Sequence, residues 1–298
     1  MYRFLLRPLW ILSHLFVIAC VVAFVNLGFW QLRRLDERRA HNAEVEAAVA
    51  EAAVPLDQLV PAGVDATEAD VDAVAYRPAL AQGTYRADQQ VLVSNRSYEG
   101  APGWWVLTPL VQDDGTAVVV NRGWVPFSYT EDGPWTDFEP PAGRVTVQGL
   151  VRAPQVRSTG ALVAGPQDAE EGVLRSLARV DVGRLQQQVD ESLLPLYLEL
   201  DAQEPAQSGE LPIPVPDPEL SEGPHLGYAG QWFLFAALTC IVYPLLLRRR
   251  AHRRHEGEMA VEPGPPDEGG AGHEGPEGEG PLGPGPDADA PVTTGPSR

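Results

Sequence analysis

The 298-residue chain has no lysine: its 22 basic residues are all arginine, set against 41 acidic residues for a formal net charge of −19. So acidic a chain excludes a nucleic-acid partner, because phosphate neutralisation needs clustered positive charge. Cysteine is nearly absent, and Cys20 and Cys240 both fall inside long apolar runs. The polar part of the chain therefore has no disulfide and no thiol site for zinc or copper. With only Met1 and Met259, a methionine copper site is excluded too. Outside the expected cytoplasmic parts, and apart from His14 deep in the first apolar run, histidine is limited to His41 and His225. Neither stands in a nucleophile context such as Gly-x-Ser-x-Gly, and no Walker loop or Gly-x-Gly-x-x-Gly follows a strand. No ordinary enzyme is left, and the reading is of a non-enzyme.

What the chain does have is two apolar runs, 8–32 and 223–247, each 25 residues long. As helices rising about 1.5 Å per residue they reach roughly 37 Å, enough for a bilayer core of about 30 Å. The first is too long for a signal-peptide core and ends in Gly28-Phe29-Trp30-Gln31, which is no small-residue cleavage site. It is read as an uncleaved anchor. Arg248, Arg249, Arg250, Arg253 and Arg254 follow the second run at once and place that end in the cytoplasm. Arg33, Arg34, Arg38 and Arg39 just outside the first run argue the other way, but long loops translocate largely regardless of charge. The expected layout in the cell membrane is a cytoplasmic N-terminus at 1–8, a transmembrane helix at 9–31, an extracytoplasmic domain at 32–222, and a second transmembrane helix at 223–247. A cytoplasmic basic anchor and acidic Gly/Pro-rich tail complete it at 248–298. The composition of the tail predicts disorder.

Residues 35–51 read as a helix leaving the membrane. Asp65, Glu68, Asp70 and Asp72 lack the order of a calcium loop and read as a solvated patch. Strands are expected at 77–82, 90–94, 104–110, 117–121 and 145–152, with Asp113-Asp114-Gly115 as a hairpin turn. Asp181 is expected to cap a helix running to about residue 193, followed by a closing strand at 196–200. Proline at alternate positions makes 211–218 an extended approach to the second span. The fold class is thus a membrane protein whose two transmembrane helices flank a mainly antiparallel β (α+β) extracytoplasmic domain, a small barrel or sandwich.

Unusual residues gather where both spans meet the outer surface. His225, Tyr228 and Trp232 are spaced i, i+3 and i+7 on one helix face, behind Pro224. Gly223, Gly227 and Gly230 form an expected small-residue face for the first helix, which ends at the same depth in Phe29, Trp30 and Gln31. The ordinary account is interfacial aromatics and a structural histidine. The functional account is an aromatic pocket whose one imidazole, at the positive end of a helix dipole, suits a planar ligand such as haem with an axial histidine. Spacing alone leaves both accounts open. Arg96 and Arg122 could pair with propionates, or satisfy strand-end carbonyls or a neighbouring carboxylate. His14, deep in the first span, lies roughly 24 Å from Trp30, too far to share a ligand with His225.

Three motifs then carry a resemblance: Leu27-Gly28-Phe29-Trp30-Gln31-Leu32-Arg33-Arg34-Leu35, Val119-Val120-Asn121-Arg122-Gly123-Trp124-Val125-Pro126 and His225-Leu226-Gly227-Tyr228-Ala229-Gly230-Gln231-Trp232-Phe233. In this order, within residues 10–247, they resemble the Surf-one (Surfeit-locus) family of cytochrome c oxidase assembly factors. The resemblance implies a protein that helps insert haem a into the catalytic subunit of an aa-type terminal oxidase. Its implied partners are that subunit, the haem a synthase and the lipid bilayer. It implies His225 as haem-iron ligand with Trp232 close by; the pocket reading adds Tyr228 and Trp30, and the propionate reading adds Arg122, as expected cofactor-binding residues. A scaffold that steadies apo-oxidase or haem synthase without cofactor is the alternative, and a sensor signalling through the acidic tail is a third reading.

Overall fold

The computed structural model describes residues 7–155 and 167–259. The expected N-terminal cytoplasmic segment up to residue 6 and the acidic tail from residue 260 lie outside the described residues. The chain divides into two compact units, Met1–Ile11 with Val242–Arg298, and Leu12–Ile241. In the first, the Arg250 guanidinium lies over the Trp10 ring at 5.3 Å. Two helices are long and apolar enough to cross a membrane, α1 (Pro8–Val49) and α5 (His225–Met259), the latter over His225–His252. The expected span and the expected exit helix are thus one uninterrupted helix, because no Gly, Pro or cap signal breaks the Arg/Glu/Ala-rich stretch after Leu35.

Between them lie short helices α2 (Leu56–Leu59), α3 (Glu68–Asp72) and α4 (Val182–Gln186), and strands β1 (Val54–Pro55), β2 (Pro78–Tyr85), β3 (Val91–Tyr98), β4 (Ala101–Gln112), β5 (Thr116–Pro126), β6 (Arg144–Arg152), β7 (Ser176–Leu177) and β8 (Ser192–Glu204). The sheet runs β1-β2-β6-β8-β5-β4-β3-β7, and an additional β2–β4 pairing closes β2, β6, β8, β5 and β4 into a ring. The domain is therefore a barrel and not a sandwich. Five strands cannot alternate direction all the way round a ring, so one neighbouring pair must be parallel. That pair is β5–β8, and the other four are antiparallel.

Closure happens on one edge of β4. Residues 101–107 of that edge pair with β3, and 110–112 pair with β2. Pro109 sits at the handover: its carbonyl accepts the Arg86 N–H at 2.9 Å, so the N–H it lacks would have faced the same, unpaired point of the edge. Strand β5 is buried from Ala117 to Val125. Its side chains alternate between two cores, Val118 and Val120 with Leu196 and Leu198 in one, Ala117 and Val119 with Leu193 and Tyr197 in the other. A strand apolar on both faces is what a parallel pair covered on both sides requires.

Every expected strand is present and extends further than its apolar core. β3 continues through a bulge at Asn95, whose φ is +57°, so Arg96 lies inside the strand and not at its end. β5 continues past Asn121, which makes Arg122 a mid-strand residue. Asp181 does cap a helix, its carboxylate accepting the Arg184 N–H at 2.8 Å, but α4 stops at Gln186. The stretch to residue 193 was expected as helix; instead Gln186 turns its amide to Glu191 O and Leu193 N, and β8 starts at Ser192.

Gly123, in the middle of β5, has φ +129°, and a Cβ there would run into the Ile213 carbonyl. The close approach lets 212–214 pair with Trp124 through two backbone bonds, Trp124 N to Ile213 O at 2.7 Å and Ile213 N to Trp124 O at 2.8 Å. Gly123→Ala should therefore lower stability by about 1–3 kcal/mol, the cost of a strained backbone, before any clash is relaxed. Denaturant unfolding followed by tryptophan fluorescence reads this; an unshifted midpoint would contradict the assignment.

Candidate functional site at the helix ends

Within Leu12–Ile241, α1 and α5 lie antiparallel, with Gln31 against His225 and Phe24 against Trp232. Gly28 is buried, and a Cβ on it would come 2.6 Å from the Phe233 ring. Phe29 meets Phe233 edge-on at 5.4 Å, Phe24 stacks on Trp232 at 5.8 Å, and Phe235 presents an edge to both at 5.9 Å. Ala229 and Ala236 are the buried small residues of α5 up to Ile241. The small-residue face expected at Gly227 and Gly230 is not the seam, since a Cβ on either would meet nothing within 4 Å. At 100° per residue, 225, 229, 232 and 236 share one stripe, and 227 and 230 fall off it.

The seam delivers His225, the first residue of α5, to Gln31 in the last apolar turn of α1. Nδ1 of the ring lies 2.9 Å from Gln31 Oε1, and Gln31 is 9% exposed. An amide oxygen accepts only, so the ring donates from Nδ1, and in the neutral imidazole that tautomer leaves the lone pair on Nε2, the form in which imidazole binds a metal. Trp30 and Tyr228, within a turn of this bond, are 43% and 48% exposed; Arg34 lies over the Trp30 ring at 5.8 Å. Trp232 sits two turns further along α5, in contact with Phe24 and Phe235. Sequence reading grouped His225, Trp30, Tyr228 and Trp232 as one pocket. The structure couples His225 to Gln31, leaves Trp30 and Tyr228 as exposed rings beside it, and uses Trp232 in helix packing. Gln31 was visible only as an amide closing an apolar run.

Beyond this point the segment entering α5 is tied to α1. Arg39 Nε and Nη2 bind both Glu222 oxygens at 2.8 and 2.9 Å, Asn42 Nδ2 donates to Leu220 O at 2.8 Å, and Arg38 Nε donates to Ser221 O at 3.2 Å. The clamp restrains residues 220–222 against the helix whose Gln31 meets His225.

Arg122 is elsewhere. It is 1% exposed inside the barrel domain, and Nη1 donates to Gln90 Oε1 and Phe138 O at 2.9 Å while Nη2 donates to Gln207 Oε1 at 2.6 Å. None of these partners belongs to α1 or α5, so Arg122 leaves the group expected around His225. Of the two structural alternatives, it takes the carbonyls and no carboxylate. Burial pushes its guanidinium down to about 10. Arg96 likewise donates to Gln155 Oε1 at 2.6 Å and lies over Trp105 at 4.3 Å.

Glu199, on β8, is 7% exposed, with Arg152 Nε 3.8 Å from its Oε2. Burial raises its carboxyl above the ordinary range against the pull of Arg152, and the Asp217 charge adds to the rise. An acid whose folded pKa is raised contributes stability that is complete below the unfolded value, about 4.5, and lost as pH rises through the folded value. Apparent melting temperature should fall over that interval, and Glu199→Gln should flatten the slope; an unchanged slope would exclude Glu199 as its source. At the seam, Gly28→Leu should lower the melting temperature in detergent by several degrees while Gly230→Leu leaves it within error. Equal effects would contradict the packing described.

Residues 18–237 match the SURF1 family. A SURF1-like protein of Mycobacterium tuberculosis is 32% identical over 267 residues, covering 89% of this chain and 92% of its own. A SURF1-like protein of Dictyostelium discoideum is 22% identical over 268 residues, 79% of this chain and 96% of its own. The cytochrome oxidase assembly protein SHY1 of Saccharomyces cerevisiae is 28% identical over 100 residues, 33% of this chain and 24% of its own. The chain belongs to the SURF1 family.

Proposed function

We propose that this protein is an assembly factor for an aa-type cytochrome c oxidase, held in the cell membrane by α1 and α5, with both termini cytoplasmic and the barrel outside. Its cargo is haem a, taken by His225 at the outer interface and passed to the oxidase catalytic subunit, with the haem a synthase as donor. Family membership supports the assembly role, and so does the yeast relative, a cytochrome oxidase assembly protein. Arginine bias after the second helix supports the orientation.

The observation that carries the haem reading is the 2.9 Å contact between His225 Nδ1 and Gln31 Oε1. Histidines that bind metals hand their second ring N–H to a fixed acceptor, which sets tautomer and ring direction. The exposed rings of Trp30 and Tyr228, one residue from Gln31 and three from His225 along their helices, suit a flat apolar ligand. Among the described residues no group of three His, Cys, Asp or Glu could hold a bare ion, so the iron would have to come within its porphyrin. His225 would supply one axial nitrogen, Gln31 would aim it, and Trp232 would brace the helix behind it. No bond is made or broken in the cargo apart from axial ligation.

The contacts of Trp232 with Phe24 and Phe235 favour a second reading, in which the aromatic cluster only joins helices and the protein is a scaffold for apo-oxidase or haem synthase without cofactor. Purification in detergent after co-expression with the haem a biosynthetic enzymes separates the two. The carrier should show a Soret band that His225→Ala abolishes and Gln31→Ala weakens by about 10-fold or more in haem retained. A colourless wild-type protein that still co-purifies with oxidase subunits would turn the assignment to the scaffold. A band unchanged in His225→Ala would remove that residue as ligand.

A further inference from the structure

Among the described residues, Arg122 is a buried cation with no anion bound to it. Its three hydrogen bonds all end on neutral carbonyl oxygens, those of Gln90, Phe138 and Gln207. Gln90 Oε1 is shared with Thr108 Oγ1, which donates to it at 2.9 Å. Nε of Arg122 is buried without an acceptor, and so is Nε2 of Gln203. The Tyr85 ring lies 5.5 Å from the guanidinium carbon and is no counter-charge, since burial holds its phenol protonated far above the ordinary range and its hydroxyl donates to Gln203 Oε1 at 2.9 Å. Burying a charge without a partner is costly, and leaving donors unmet adds to the cost.

Arg122 and Gln203, two of several side chains with an unmet buried donor, line one cavity of about 300 Å³. Gln207 lines it as well, and the rest of its wall is largely apolar, from Leu200, Ala202, Pro212 and Pro214. The lining carboxylate, Asp201, is exposed and accepts from Gln148 Nε2 at 3.1 Å. The volume is at the lower end for ligand sites. A planar guanidinium matches a carboxylate in two-point geometry, and one negative charge on a short hydrocarbon stem suits a small apolar-walled space. A phosphate would bring more acceptor oxygens than these donors serve.

We propose that this cavity receives a carboxylate on a short hydrocarbon arm, which displaces the Gln207 amide oxygen from Arg122 Nη2 and offers acceptors to Arg122 Nε and Gln203 Nε2. Gln207, on the segment leaving β8, is the internal stand-in: its amide has the shape of a carboxylate without the charge. The site does not depend on the haem reading of His225.

The test uses the full chain in detergent, with sodium acetate as probe against sodium chloride at matched ionic strength. Acetate should raise the melting temperature by several degrees and saturate, because a ligand that binds only the folded state stabilises it by mass action. Gln207→Glu places a carboxylate beside Arg122: without acetate it should melt higher than wild type at pH 7, lose that gain as pH falls through the carboxylate range, and no longer respond to acetate. Arg122→Gln should also abolish the response, and the Gln207 variant decides if that protein fails to fold. Equal effects of acetate and chloride, or a Gln207→Glu protein that still responds to acetate as wild type does, would overturn the proposal. Displacement of acetate by mesoporphyrin but not by its dimethyl ester assigns the arm to a porphyrin propionate; displacement by neither assigns it to a free acid.

Discussion

The antiparallel seam between α1 and α5 is the constraint on which the arrangement depends. Phe233 can approach α1 only because Gly28 has no side chain, and that approach sets Phe24 against Trp232 and Gln31 against His225. Two contacts seven residues apart on both helices fix translation and rotation together, since each helix repeats its face after two turns. The ion pair of Arg39 with Glu222 and the bonds of Arg38 and Asn42 to residues 220–221 then hold the entry to α5. A histidine at a helix start would otherwise be free to fray; here both its backbone approach and its ring are held.

The barrel is set by a different rule. Its five-membered ring forces one parallel pair, and a parallel pair cannot be joined by a hairpin. The chain leaves β5, passes through β6, β7 and α4, and returns as β8 alongside β5. That return buries β5 on both faces, so the Asn-Arg-Gly-Trp run at 121–124 lies within the interior. Gly123 is needed because another segment, carrying Ile213, must approach the backbone. The run is a folding motif first, and its arginine gains chemical interest from being buried there.

Much of this could be read from the residues. Both long helices, the strands and the turn at Asp113-Asp114-Gly115 followed from apolar runs and their punctuation. Strand ends did not, because Arg96 and Arg122 are polar locally and are kept in strands by neighbours far away in sequence. Barrel closure was not legible either: it rests on one edge of β4 serving two partners, which no local pattern announces. At the helix ends the sequence pattern put His225, Trp30, Tyr228 and Trp232 all in one pocket, whereas Trp232 packs between helices. Helical spacing tells which residues share a face and says nothing of which face a neighbour covers; the covering came from Gly28, not from Gly227 or Gly230.

One chemical choice recurs at both sites. In a chain with 41 acidic residues, the imidazole of His225 is met by the amide of Gln31, and the guanidinium of Arg122 by the amides of Gln90 and Gln207. A carboxylate in either place would neutralise a cation and add basicity to an imidazole. An amide oxygen fixes direction and adds no net charge, so the electrostatic demand of the group it orients is left unmet. For Arg122 that unmet demand is the reason to expect an anion. For His225 it means a nitrogen aimed but not strengthened, which on the proposed reading would suit a cargo that must be released again. Among the described residues neither group hydrogen-bonds a carboxylate: Asp201 by the Arg122 cavity is bound to Gln148, and Glu222 near His225 is bound to Arg39.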